Sequence, residues 1–150
     1  MAHVHDQIDF TISAFIVHKD KVLLVHHKKL NTWLPVGGHV ELDEDPEQAL
    51  MREIKEECGL DVKVVGQRED IDSDHIKSLI PPIYLDIHKI TDDHRHIGMI
   101  YFATSDTDEV ALAENEHNDI KWFATEDLDS DELLENVSFY GRKALEALGE

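Results

Sequence analysis

Glu53, Glu56 and Glu57 stand close together in the run MREIKEECGL. On a helix Glu53 and Glu57 are one turn apart and Glu56 lies three residues from Glu53, so the three carboxylates converge on one side. Carboxylates this close repel one another. With only Arg52 and Lys55 beside them, a divalent cation is the least costly way to keep all of them ionised. An all-oxygen donor set selects Mg2+ or Mn2+. Mg2+ commonly takes one or two carboxylates, several waters and phosphate oxygens, so this helix offers half of a site that a phosphate chain would complete. The competing reading is a solvated acidic face, because Glu-rich surface helices are common and three glutamates alone do not separate the two.

The chemistry depends on the helix, and its ends are well marked. Asp45 can cap it, Pro46 suits the first helical position, and Gln48 stands where a capping box wants an amide or carboxylate. Gly59 follows the last periodic residue, as a left-handed position after a helix requires, and Leu60 can pack back on the final turn. The predicted helix spans about Pro46–Cys58, with Leu50, Ile54 and Cys58 at four-residue spacing and Met51 beside them as its apolar stripe. Ahead of it, Thr11–His18 and Lys21–His27 are β-branched and apolar and read as strands joined at a Lys19–Asp20 turn. The segment Asn31–Glu44 reads as turn-rich. Further strands are expected at Asp61–Val65, Pro82–Ile90, Ile97–Thr104 and Asp119–Phe123, and a last helix at about Val137–Leu148. Strands with flanking helices, and no repeat, low-complexity tract or Pro/Gly-rich linker, predict one α/β domain over residues 1–150.

The residues around the helix tip the balance between cation site and acidic face. The segment GHVELDEDPEQALMREIKEECGL reads Gly38, five residues, Glu44, seven residues, Arg52-Glu53-Ile54, one residue, Glu56-Glu57, one residue, then Gly59-Leu60. Trp33-Leu34-Pro35-Val36-Gly37-Gly38 leads into it. This resembles the complete Nudix box of the MutT-like hydrolases, with no departure inside it. The likeness extends more loosely through the strand order and Trp122. A lone REXXEE is a weak signal, but so many fixed positions at the right gaps make a strong one. The resemblance implies an α/β/α sandwich around a central mixed β-sheet. It also implies hydrolysis of a phosphoanhydride bond in a nucleoside diphosphate linked to another group, such as a nucleoside triphosphate, nucleotide sugar, ADP-ribose or dinucleoside polyphosphate. Glu56 and Glu57 would then be metal ligands, Glu53 a further ligand or the group that activates water, and Gly37 a backbone carbonyl ligand. Arg52 and Glu44 would orient them, and Mg2+ or Mn2+ would be the cofactor. These roles suit the residue types: Arg52 can hold a carboxylate by a forked hydrogen bond, and Gly37 and Gly38 let backbone come close to an ion.

Family members often take their general base from a late loop, which here offers Glu114 or Glu116 in ALAENEHNDIKWF, with Glu116 the candidate; the alternative is a polar turn ahead of the strand bearing Trp122. Lys28 and Lys29, with His26 and His27, form the one dense basic patch early in the chain and are candidates for phosphate contacts, or a solvated strand end. His94 and His96 in TDDHRHIGMIYFA precede a strand, where they either reach substrate or sit at a strand edge. Trp33, Tyr84 and Phe102 can stack on a base, although such aromatics commonly fill a core. Cys58 lies on the apolar stripe, which disfavours a nucleophilic role.

Lys and Arg number 14 against 33 Asp and Glu, a formal net charge of −19, which argues against a sequence-independent grip on a nucleic-acid polymer. A polyanionic substrate needs bound cations as intermediaries, so the expected partner is a small nucleotide-type molecule. No apolar run approaches the roughly 20 residues of a membrane span, and the first residues do not read as a signal peptide, so a cytoplasmic location is expected. The single cysteine fits a reducing compartment. The 11 histidines are scattered without an HxxxH or CxxC spacing, so no dedicated zinc site is expected. A homodimer would be usual for such a protein. Against an active hydrolase stands one alternative, a catalytically silent nucleotide-binding regulatory module; the intact set Glu53, Glu56, Glu57 favours the hydrolase.

Overall fold

The computed structural model describes residues 7–150. The described strands are β1 Ile8–His18, β2 Lys21–His27, β3 Thr32–Leu34, β4 Val36–His39, β5 Val62–Val64, β6 Tyr84–Thr91, β7 His94–Ser105 and β8 His117–Phe123. The helices are α1 Pro46–Glu57 and α2 Glu135–Leu148, the second preceded by a 3-10 turn at Thr125–Asp129. All the strands join one mixed sheet in which β1 is the hub. One edge of β1 runs parallel to β7, from Ile8 opposite Arg95 to Val17 opposite Thr104. Its other edge takes β4 antiparallel along Thr11 to Ala14 and β2 at Val17 and His18. Outward from there, β2 carries β3 and β8, and β7 carries β5 and β6.

The continuous apolar run in β1 is explained by burial on both faces. Successive side chains alternate across the sheet. Ile12, Ala14 and Ile16, with Leu23, Val25, Tyr101 and Ala103, pack under Ala49, Leu50, Ile54 and Cys58 on the α1 side. Phe15, Val17, Val22, Leu24, Ile100 and Phe102 pack on the other side against Val137, Ala144 and Leu145 of α2. The result is the α/β/α sandwich around a mixed sheet that the resemblance implies. No helix among the described residues is long and apolar enough to cross a membrane.

The start of α1 follows the predicted capping box. Asp45 Oδ1 accepts from the Gln48 N–H at 2.9 Å, and Gln48 Oε1 accepts from the Asp45 N–H at 2.9 Å. Its end closes where Gly59, at φ +72°, donates its N–H to the Ile54 carbonyl. Several expectations need correction. Asn31–Glu44 is more than turns, since it holds the short strands β3 and β4; the apolar run Trp33-Leu34 and the Gly37–Gly38 step are too brief to show a two-residue period. Met51 is exposed, and Ala49 takes its place in the stripe with Leu50 and Ile54. β7 begins at His94, because Arg95 and His96 already pair with both β6 and β1. β8 begins at His117, so Glu116 adjoins a strand end.

Asp45 also meets Lys77 Nζ at 2.6 Å, so it holds both the helix start and the loop ahead of β6. Asp45→Ala is expected to lower unfolding free energy by about 1 kcal/mol, most of it from the lost cap. Urea denaturation followed by circular dichroism checks this.

Candidate functional site

The face of α1 turned toward β4 carries Glu53 and Glu57, both buried, at 9% and 3% exposure. Their neighbour across the gap is backbone. The Gly37 N–H donates to Glu57 Oε2 at 3.2 Å. A Cβ on Gly37 would stand 2.1 Å from the Ile12 carbonyl oxygen, so only glycine lets β4 lie this close to β1, and one on Gly38 would stand 2.6 Å from Glu53 Oε1 and displace that carboxylate. Arg52 locks the arrangement from outside. Its guanidinium forks onto Glu44, with Nε donating to Oε2 at 2.6 Å and Nη2 to Oε1 at 2.9 Å. Nη1 donates to Glu53 Oε1 at 2.8 Å and to Glu56 Oε2 at 3.3 Å, while Nη2 also reaches the His39 carbonyl at 3.2 Å. The fork holds the Glu44 carboxyl below its ordinary range and raises the Arg52 pKa.

Burial and the neighbouring Glu53 charge push Glu57 up to about 9, against the lowering pull of the Gly37 N–H. Burial raises Glu53 as well, opposed by Arg52. Opposite Glu57 stands a residue that the sequence did not announce. His117 is buried at the start of β8, its Nε2 3.5 Å from Glu57 Oε2 and 3.9 Å from Glu116 Oε2. Neither ring nitrogen has a hydrogen-bond partner in the structure. Burial lowers its pKa, which keeps the imidazole neutral and able to offer a lone pair. Donor atoms of Glu57, Glu116 and His117 all lie within 4.8 Å of one another. A buried carboxylate pair with raised pKa values, facing an unpartnered imidazole, fits a divalent cation well. Nothing in the run ENEHND marks His117 as buried.

Glu53, Glu57 and Glu116 line a cleft of about 430 Å³ whose walls also include Lys28, Lys29, His27 and His39, with the buried His117 outside this lining. Lys28 is fastened to the late loop, its Nζ donating to the Glu114 carbonyl and its N–H to the Glu116 carbonyl at 3.0 Å. Of the sequence candidates, the structure brings Glu53, Glu57, Glu116, Gly37, Lys28 and Lys29 to this cleft. Glu56 stands apart on the exposed rim of α1, joined to Glu53 only through Arg52. Gly37 turns its N–H, rather than its carbonyl, toward Glu57. His94 and His96 lie outside the cleft lining, beside His39 and Asp9. Tyr84 and Phe102 pack in the α2-side core, and Trp33 sits between His26 and Phe123.

The NUDIX domain family model matches residues 9–148. The chain belongs to the Nudix family. A solved structure described as a hydrolase of the NUDIX family from Clostridium perfringens is 39% identical, covers 93% of this chain and 97% of its own, and superposes with a TM-score of 0.81. The structure of a MutT NUDIX hydrolase from Burkholderia pseudomallei shares the fold at 24% identity, with 95% and 99% of the two chains covered and a TM-score of 0.67. A Lactococcus lactis subsp. cremoris protein named "Probable DHNTP pyrophosphohydrolase" is 28% identical over 111 residues, 74% of this chain. The matched part spans 63% of that relative's length. The Nudix box thus coincides with the strand–helix unit that buries Glu53 and Glu57.

This burial makes the cation-free Nudix site sensitive to pH. The Glu57 pKa is higher folded than the ordinary 4.5, so its stabilising contribution is fully present below about pH 4.5 and is lost as pH rises toward 9. From pH 6 to 8 in EDTA, stability is expected to fall by up to about 3 kcal/mol, at roughly 1.4 kcal/mol per pH unit for one proton. Glu57→Gln removes most of that fall. Thermal melts in EDTA across this range, for both proteins, measure it.

Proposed function

We propose that this chain is a divalent-cation-dependent pyrophosphohydrolase acting on a small nucleotide-type substrate, a nucleoside triphosphate first among them. The observation that carries the reading is the meeting of Glu57, Glu116 and His117 beside a cleft whose lining includes Glu57, Glu116, Lys28 and Lys29. A phosphate chain in it would meet positive charge from the bound ion and from the two lysines. The volume lies in the range of ordinary small-molecule sites. The name of the Lactococcus relative, a pyrophosphohydrolase, supports the same reaction class.

When bound, Mg2+ or Mn2+ supplies an acidified attacking water and neutralisation of the phosphate charge. The chain divides the remaining work among its carboxylates. Glu57, fixed by the Gly37 N–H and buried, is suited to hold the ion. Glu53 can share in this, although its Oε1 is already engaged by Arg52 Nη1. Glu116 is exposed at the cleft, has no lysine or arginine ion pair, and is the group we assign to take the proton of the attacking water. The imidazole of His117 adds a nitrogen donor, which Mn2+ accepts more readily than Mg2+. Glu56 keeps Arg52 in place from the rim or contributes through a further ion. Lys28 and Lys29 orient phosphate oxygens.

Release of phosphate or pyrophosphate from a panel of nucleoside triphosphates, nucleotide sugars, ADP-ribose and dinucleoside polyphosphates tests this. Turnover with Mg2+ or Mn2+ is expected, abolished by EDTA and by Glu57→Gln and lowered about 10²–10⁴-fold in kcat by Glu116→Gln. Metal binding without turnover across the panel would instead mark a nucleotide-binding module.

A further inference from the structure

Beside the carboxylate cleft, the register of the sheet gathers histidines from separate stretches of sequence onto one face. Asp9 on β1 and His88 on β6 are the two partners of His96, one on each side of β7. Residues two apart on a strand share a face, so His94 joins His96 and Thr11 joins Asp9. Thr11 is in turn the partner of His39 on β4, which brings the His39 ring to the same patch. Asp9, His39 and the pair His94 and His96 are far apart in the sequence, and the absence of an HxxxH or CxxC run therefore carries no information about the cluster.

The contacts are closer than packing alone requires. His39 Nε2 lies 3.3 Å from His96 Nε2 and 3.5 Å from Asp9 Oδ2, and His94 Nε2 lies 3.1 Å from the same Asp9 oxygen. The nearest donor atoms of Asp9, His94 and His96 are within 4.8 Å of one another. A tetrahedron built on metal–nitrogen bonds of roughly 2.0–2.1 Å has edges of about 3.3–3.4 Å, and the three distances from Asp9 to His39, Asp9 to His94 and His39 to His96, at 3.5, 3.1 and 3.3 Å, lie close to it. His88, whose Nδ1 is 3.0 Å from Asp86 Oδ1, closes one side of the patch with its ring 5.5 Å from that of His96. Burial, with the neighbouring rings of His39, His88 and His94, lowers the His96 pKa and favours the neutral, ligating form.

We propose that Asp9, His94 and His96, joined by His39, form a second metal site for a borderline transition-metal ion of the Zn2+ or Co2+ class; its donors are separate from Glu53, Glu57 and Glu116, although His39 also borders their cleft. Three imidazole nitrogens and one carboxylate suit such an ion and are a poor set for Mg2+. The position also has a consequence. The His39 carbonyl accepts from Arg52 Nη2, so an ion on the His39 ring would tie β4, β1 and β7 together at the strand that carries Gly37 and Gly38. This site does not depend on the hydrolase reading.

The test uses the full chain carrying His3→Ala and His5→Ala, so that these two N-terminal histidines cannot contribute, with Mg2+ in excess to occupy the carboxylate cleft. Calorimetric titration with Zn2+ is expected to show one equivalent per chain, kept in Glu57→Gln and weakened at least about tenfold in His94→Ala and His96→Ala, the loss that even an outer-shell change commonly brings. Co2+ in its place should give the intense visible absorption of a four-coordinate ion, lost with the same two histidines. His39→Gln, checked for native circular dichroism, repeats the comparison should either alanine variant misfold. Zn2+ affinity indifferent to His39, His94 and His96, or Co2+ showing only the weak spectrum of six oxygen ligands, overturns the proposal.

Discussion

The arrangement turns on placing two carboxylates, Glu53 and Glu57, in a buried seam between a helix and a glycine strand. Burying like charges side by side is costly unless each finds compensation. Arg52 compensates one of them and the Gly37 N–H the other, and burial beside Glu53 still pushes the Glu57 pKa up, so that without a cation this carboxyl holds a proton. The deficit is a property of the fold. It leaves the site in want of positive charge at the position where a phosphate chain would arrive.

Holding that deficit in place demands rigidity around it. Arg52 does more than pair with Glu53, since its fork on Glu44 and its bond to the His39 carbonyl join the helix to the loop before it. The capping box at Asp45 and Gln48 fixes where the helix starts, and the left-handed Gly59 fixes where it stops. Ala49, Leu50, Ile54 and Cys58 then set its rotation by packing on β1 and β2. The glutamates point at the glycine strand because the apolar stripe leaves them no other direction.

This local logic explains what was legible in the sequence. Caps, most of the stripe and the Glu53–Glu57 pair lie within one short stretch, so spacing reports their geometry, while the Arg52 fork and the close approach of Gly37 and Gly38 follow from the resemblance to the Nudix box. The short strands β3 and β4 escaped because three or four residues do not establish a period. Spacing groups Glu56 with Glu53 and Glu57, yet it falls on the exposed edge of the same turn. His117 and the histidines around Asp9 escaped for another reason. Their neighbours are supplied by pairing between strands far apart in the chain, and strand register leaves no mark on the local pattern.

The overall charge of −19 follows the same logic at longer range. A protein this acidic repels polyphosphates, so approach has to be conditional on positive charge focused in one place. Lys28 and Lys29 bring part of it to the cleft wall, and the bond from Lys28 to the Glu114 carbonyl fastens that charge to the loop bearing Glu116. On the proposed function, a cation at the carboxylates would bring the rest. Lysines without that ion would leave a phosphate facing Glu53 and Glu57, so metal and substrate would be coupled, each lowering the electrostatic cost of binding the other.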